Sequence, residues 1–120
     1  AENIAGYFYA EERVHVISNA CISGVSALIA GKRMIENGIY RRVIVAGGDL
    51  LSHFITSGFG SFRSLSSRPC RPYDSSRDGL NLGEACGAVL LSSEGTEEHV
   101  ILSGGAVSND ANHISGPSRT

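Results

Sequence analysis

The sequence predicts an α/β fold on a mixed, mainly parallel sheet with helices, and three observations predict it. Apolar β-branched runs flank a run of helical period: Val14, Val16 and Ile17 come first, then Val25, Leu28, Ile29, Met34 and Ile35, then Val43, Ile44 and Val45. With short links between them, that order is a right-handed strand–helix–strand unit. Glycine is abundant, with 15 among 120 residues, and aromatic residues make up only 7%. This balance suits tight strand-to-helix turns better than a sandwich core filled with rings. At 120 residues and 42% hydrophobic, the chain has the size of one domain with a modest core.

Each element follows from its residues. Residues 1–13 open the chain with no clear period, although Tyr7, Phe8 and Tyr9 suit an apolar surface. Val14–Ile17 reads as a short buried strand. The helical run extends over Ile22–Asn37, and Asn37-Gly38 supplies its stop. Arg42–Gly48 reads as a fully buried parallel strand ending in glycines. Leu50–Leu65 mixes apolar residues with serine and glycine, which suits one or two short, interrupted helices. Ser66–Gly79 holds two prolines, four serines and two aspartates, the composition of a long turn-rich loop. Loops of that length inside compact domains are usually functional. Gly83–Ser93 and His99–Gly105 read as two further strands, joined as a hairpin by the acidic turn Glu94–Glu98.

Composition excludes several functions. A formal net charge of −2 argues against a general nucleic-acid or anionic-membrane surface. Arg63, Arg68, Arg71 and Arg77 nevertheless fall close together, a local basic patch suited to an acidic partner. The three cysteines, Cys21, Cys70 and Cys86, form no C-x-x-C pair, and the histidines at 15, 53, 99 and 113 are scattered. Neither a disulfide framework nor a metal site is expected, and a reducing, cytoplasmic setting is. No apolar run approaches the roughly 20 residues of a membrane span. Neither Gly47-Gly48 nor Gly104-Gly105 extends to a G-x-G-x-x-G, and no phosphate-binding lysine motif occurs.

The residue with the strongest chemical position is Cys21. It stands where a strand-like run passes into a helical one, among the small residues Ala20, Ser23 and Gly24. Unpaired N–H groups and the positive end of a helix dipole favour an anion at such a junction, and the thiolate is the nucleophilic form of cysteine. Position alone nevertheless favours a small, inert hydrophobe.

Several short motifs, in order, narrow the reading. They are Asn19-Ala-Cys21-Ile-Ser-Gly24, Val45-Ala-Gly-Gly-Asp49, Gly58-Phe-Gly60, Arg63-Ser-Leu-Ser66, Arg71-Pro-Tyr-Asp74, Arg77-Asp-Gly79, Leu82-Gly-Glu84, Gly87–Leu91 and Ser108–Pro117. Their collinear sequence resembles the β-ketoacyl-acyl-carrier-protein synthases. The resemblance implies a thiolase-like layered fold of two similar α/β halves acting as a homodimer or heterodimer. Residues 1–120 would then be part of the N-terminal half. The strands expected before Val14, and the second half with its two catalytic histidines and lysine, have no counterpart among these residues.

The same resemblance implies a decarboxylating Claisen condensation with Cys21 as nucleophile and acyl carrier protein as partner. It implies no metal and no bound cofactor, because the phosphopantetheine arm belongs to the carrier. Phe59 matches a ring lining the acyl pocket, with an ordinary core phenylalanine as the alternative. His113 and Ser115 match the loop flanking the phosphopantetheine tunnel; a capped loop histidine is the alternative for His113. Arg63 matches a basic position at the tunnel mouth, with a solvated arginine or an ion pair with Asp74 or Asp78 as the alternative. Glu84 is expected to accept backbone hydrogen bonds. Two competing functions are a non-catalytic ketosynthase-like partner, which usually lacks the cysteine, and a hydrolase pairing Cys21 with His113 as base.

Overall fold

The computed structural model describes residues 2–7 and 14–110. Two compact units divide the chain: one holds the residues up to Val45 together with those from Leu90 on, and the other holds Ala46–Val89.

The N-terminal segment, read from sequence as having no period, contains a short helix, α1, over Glu2–Tyr7. Helix α2 runs over Ser23–Glu36, one residue inside each expected boundary. Alanine, leucine, methionine, lysine, arginine and glutamate, all strong helix formers, supply half of its 14 residues, and Lys32 pairs with Glu36 one turn on. Its end is the Asn37-Gly38 stop. Gly38 adopts φ +70, its N–H bonds the Ile35 carbonyl at 2.9 Å, and the Ile39 N–H bonds Met34 at 2.9 Å. These two bonds make a Schellman motif, which requires the left-handed residue that glycine tolerates.

Strand β1 spans Arg42–Asp49 and strand β2 spans Ala85–Ser92, and they pair with each other. The Ser93 N–H bonds the Arg41 carbonyl at 3.1 Å at one end, and Gly48 lies against Cys86 at the other. Position 41 therefore faces 93 and position 48 faces 86, an antiparallel register. This corrects the expectation of a mainly parallel sheet. Among the described residues Val14–Ile17 and His99–Gly105 form no strand, so neither the strand–helix–strand unit nor the terminal hairpin is present there. β2 takes β1 as partner instead. An apolar run shows that a segment suits a strand, but the direction of pairing depends on which distant segment meets it.

The core of the first unit lies between α2 and the sheet. Among the described residues Ile29 of α2 is the one buried hydrophobic side chain, 6% exposed, and it lies against Gly105. Gly31 faces Leu91, Val43 and Val45 so closely that a Cβ there would stand 2.9 Å from Leu91 Cδ1. Only Val43 and Val45 of β1 are half-buried, so β1 is not the fully buried strand expected. Alternation puts Ile44 and Leu90 on the other face, where they are 70% and 62% exposed.

In the second unit, helix α3 spans His53–Ser61, within the segment expected to be interrupted helix. The Ser52 hydroxyl caps it, accepting the Ile55 N–H at 3.3 Å. The loop after α3 is organised rather than slack. The Leu80 N–H bonds the Ser64 carbonyl and the Ser66 N–H bonds the Leu80 carbonyl, each at 2.9 Å, so residues 66–79 project from a two-bond base.

Candidate active site

Cys21 is exposed and stands two residues before α2. The chain reaches it through a tight turn in which Ala20 adopts φ +45, a left-handed conformation uncommon for a residue with a Cβ. The bonds that close this turn are donated by Ile22 to Asn19, at 3.2 Å, and by Ser23 to Ala20, at 3.1 Å. Ser23 fastens it further. Its hydroxyl accepts the Asn19 N–H at 2.8 Å and donates to the Ala20 carbonyl at 2.6 Å. A strained residue held by hydrogen bonds on both sides aims the next side chain outward, a common arrangement at functional sites.

Phe59 lies on α3 and is half-buried, whereas Phe54 and Phe62 are 88% and 73% exposed. Its carbonyl accepts the Ser64 N–H at 3.2 Å. Arg63 follows the end of α3, is exposed, and adopts φ +53. Its N–H bonds the Gly60 carbonyl at 3.0 Å. Among the described residues Arg63 enters no ion pair. Asp78 accepts from the Ser66 hydroxyl at 2.8 Å and faces Arg68 at 3.9 Å, while Asp74 accepts from the Ser76 N–H and hydroxyl, both at 2.7 Å. The two carboxylates that could have neutralised Arg63 are engaged within the loop.

Those bonds hold Asp74 and Asp78 below the ordinary carboxylate pKa. The Ser76 hydroxyl, then the Ser76 N–H, stabilises the ionised Asp74. The Ser66 hydroxyl leads at Asp78, with smaller help from Arg68 and Arg71. Glu84 accepts the Leu51 N–H at 2.7 Å, which ties the start of β2 to the approach of α3. Cys70 donates its N–H to Asn81 at 2.7 Å, and Cys86 is exposed.

Cys21 belongs to the first unit, and Phe59 and Arg63 to the second. His113 and Ser115 lie outside the described residues. The clamp formed by Asp78, Gly79 and Asn81 was missed in the sequence, where Asp-Gly-x-Asn reads only as turn composition. Among the described residues no group of three His, Cys, Asp or Glu side chains is placed to hold a metal ion. No helix there is long and apolar enough to cross a membrane.

Residues 1–96 match the family model described as β-ketoacyl synthase, N-terminal domain. The chain belongs to that family. It is 31% identical over 115 aligned positions to 3-oxoacyl-[acyl-carrier-protein] synthase 2 of Vibrio harveyi, covering 85% of this chain and 28% of the relative. It is 33% identical over 121 positions to the mitochondrial 3-oxoacyl-[acyl-carrier-protein] synthase of Arabidopsis thaliana, covering 86% and 25%. The chain thus spans about a quarter of the curated relatives it matches. Among solved structures it resembles a chain of the complex between the ketosynthase ApeO and its chain length factor ApeC from Xenorhabdus doucetiae. That match has a TM-score of 0.71 and 36% identity, over 79% of this chain and 24% of that one. A β-ketoacyl synthase from Burkholderia phymatum matches with a TM-score of 0.70 at 28% identity, over 77% and 24%. These likenesses give the chain the ketosynthase fold, of the thiolase-like class.

Proposed function

We propose that this chain carries the nucleophile of a condensing enzyme that extends acyl chains on acyl carrier protein in fatty-acid or polyketide synthesis. The observation that carries the reading is the placement of Cys21: exposed, on a strained and fastened turn, at the head of α2, in a β-ketoacyl synthase sequence. The N-terminal end of α2 favours an anion beside it. The Cys21 thiolate attacks the carbonyl of an acyl-carrier thioester, the tetrahedral oxyanion collapses, and the carrier thiol departs with a proton. A malonyl thioester then loses carbon dioxide, and the electron pair of the broken carbon–carbon bond forms a carbanion. That carbanion attacks the acyl-Cys21 carbonyl and expels the Cys21 thiolate, leaving a 3-oxoacyl thioester on the carrier. The Cys21 N–H, not used to close the turn, suits one oxyanion donor.

In this reading Phe59 lines the acyl pocket, and Arg63 meets the acidic carrier. His113 and Ser115 flank the phosphopantetheine arm, which is the carrier's own, so the enzyme binds no cofactor and no metal. The basic groups that move protons lie in the further length that the relatives have and this chain does not span. The open sheet face bearing Ile44 and Leu90 fits burial within that larger layered fold. A second ketosynthase-like subunit is a favoured partner, because one of the similar structures is a ketosynthase complex with a chain length factor. The competing reading of a non-catalytic partner subunit is disfavoured by the presence of Cys21.

The test is a condensation assay of the complete polypeptide with acyl-carrier and malonyl-carrier thioesters. Wild type is expected to form the 3-oxoacyl carrier product, and Cys21→Ala to lose on the order of 10³-fold or more of that rate. Product formation by Cys21→Ala at the wild-type rate would refute the assignment.

A further inference from the structure

Arg63 sits in an unfavourable backbone conformation, φ +53, and its position is fixed from both sides. On its N-terminal side its own N–H bonds the Gly60 carbonyl at 3.0 Å. On its C-terminal side Ser64 is held twice: its N–H bonds the Phe59 carbonyl at 3.2 Å and its carbonyl accepts the Leu80 N–H at 2.9 Å. The second anchor comes from 16 positions further on, so it is not part of the helix end itself.

The segment that provides this anchor is itself fastened at every residue. Asp78 accepts from the Ser66 hydroxyl at 2.8 Å, and that hydroxyl oxygen accepts the Arg68 N–H at 3.2 Å. Leu80 accepts the Ser66 N–H at 2.9 Å. Asn81 accepts the Cys70 N–H at 2.7 Å and donates to the Arg68 carbonyl at 3.1 Å. Gly79 threads between them so closely that a Cβ would stand 2.6 Å from the Ser66 nitrogen and 2.8 Å from the Ser64 oxygen. Among the described residues Arg63 enters no ion pair, and Asp78 is engaged by Ser66 and Arg68.

We propose that the Asp78–Asn81 segment, latched through Ser66, is the positioning element that holds Arg63 for contact with the acidic carrier protein. The proposal rests on the carrier-dependent function given above and extends it to Ser66, Asp78 and Asn81. These residues do not touch substrate; they act through the backbone on the C-terminal side of Arg63, at Ser64 and Ser66. A rim charge of fixed direction raises association with a complementary partner, so slackening its mount weakens carrier recognition and leaves chemistry at Cys21 intact.

The test compares wild type, Ser66→Ala, Ser66→Thr, Arg63→Ala and the double variant as complete polypeptides. Cys21 acylation is followed with an acyl-carrier thioester and with the same acyl group on free pantetheine. Ser66→Ala is expected to raise the KM for the acyl carrier about fivefold, the effect of one lost hydrogen bond. Its kcat and its KM for acyl-pantetheine should stay within roughly twofold, Ser66→Thr should restore the carrier KM, and the double variant should match Arg63→Ala. Additive effects of Ser66→Ala and Arg63→Ala, or equal losses with both substrates, would overturn the positioning role alone. A wild-type protein that is not acylated at Cys21 would overturn the underlying function as well.

Discussion

Replacing Gly79 by alanine tests whether the loop base is as tightly built as the structure indicates. Gly79 adopts φ +154, where a side chain costs about 1 to 3 kcal/mol. The new Cβ would meet Ser66 N at 2.6 Å, Leu65 C at 2.7 Å and Ser64 O at 2.8 Å. All three are backbone atoms, so no rotamer change relieves the contact. The least costly escape separates residues 64–66 from 79–80 and gives up the two 2.9 Å bonds between Ser64, Ser66 and Leu80, each contributing roughly 0.5 to 1.5 kcal/mol. The middle of these ranges is about 4 kcal/mol; allowing for water that re-solvates the freed groups leaves about 3 kcal/mol, or roughly 150-fold in the opening equilibrium. Amide hydrogen exchange reads this directly. The Ser66 and Leu80 amides of Gly79→Ala should lose about 100-fold in protection, while α2 amides such as Ser26, in the other unit, keep theirs. Wild-type protection at Ser66 and Leu80, within about threefold, would refute the reasoning.

Three further outcomes follow from the same contacts. Ser52→Ala removes the cap of α3, and because the bond is 3.3 Å long and exposed, chemical denaturation should show a loss of about 0.5 to 1 kcal/mol. Glu84→Ala strips the acceptor from the Leu51 N–H and should cost about 1 kcal/mol, whereas Glu84→Gln keeps an acceptor oxygen and should lose about half as much in the same denaturation experiment. Asp74 and Asp78 have folded pKa values below 3.8; their contribution to loop order is therefore complete above the unfolded value and disappears as pH falls below 3.8 through the depressed folded values. The carboxylate shifts of Asp74 and Asp78, and with Asp74 the Ser76 amide shift, should titrate with midpoints below the ordinary aspartate value; midpoints at or above it would contradict this.

Helices α2 and α3 and the loop were legible because their signals are local, whereas the six-residue α1 falls in a segment with no clear period. Asn37-Gly38 marks the end of α2 by the chemistry of one left-handed residue, and the structure ends the helix there. The serines and aspartates of residues 66–79 indicate turns, and Ser76 with Asp74 makes one. Sheet order was not legible, because it rests on partners distant in sequence. Val14–Ile17 and His99–Gly105 have strand composition yet find no ladder among the described residues, and β2 reaches back across residues 50–84 to pair with β1. At the site, Cys21 was visible as a cysteine just ahead of a helical run; the strand expected before it does not form among the described residues, and the structure shows instead the strained Ala20 and the Ser23 fastening. The mount of Arg63 was hidden, since nothing in Asp78-Gly-Leu-Asn81 reveals that it hydrogen-bonds residues 64–70.

The claim on which the rest depends is that Cys21 accepts the acyl group. Incubating the complete polypeptide with an acyl-carrier thioester in the absence of any malonyl thioester, then mapping peptides by mass spectrometry, tests it most directly. The account predicts one acyl mass on the peptide containing Cys21, none on those containing Cys70 or Cys86, and no adduct in Cys21→Ala. An acyl group on Cys70 or Cys86 instead, or no adduct on the wild type, would contradict it.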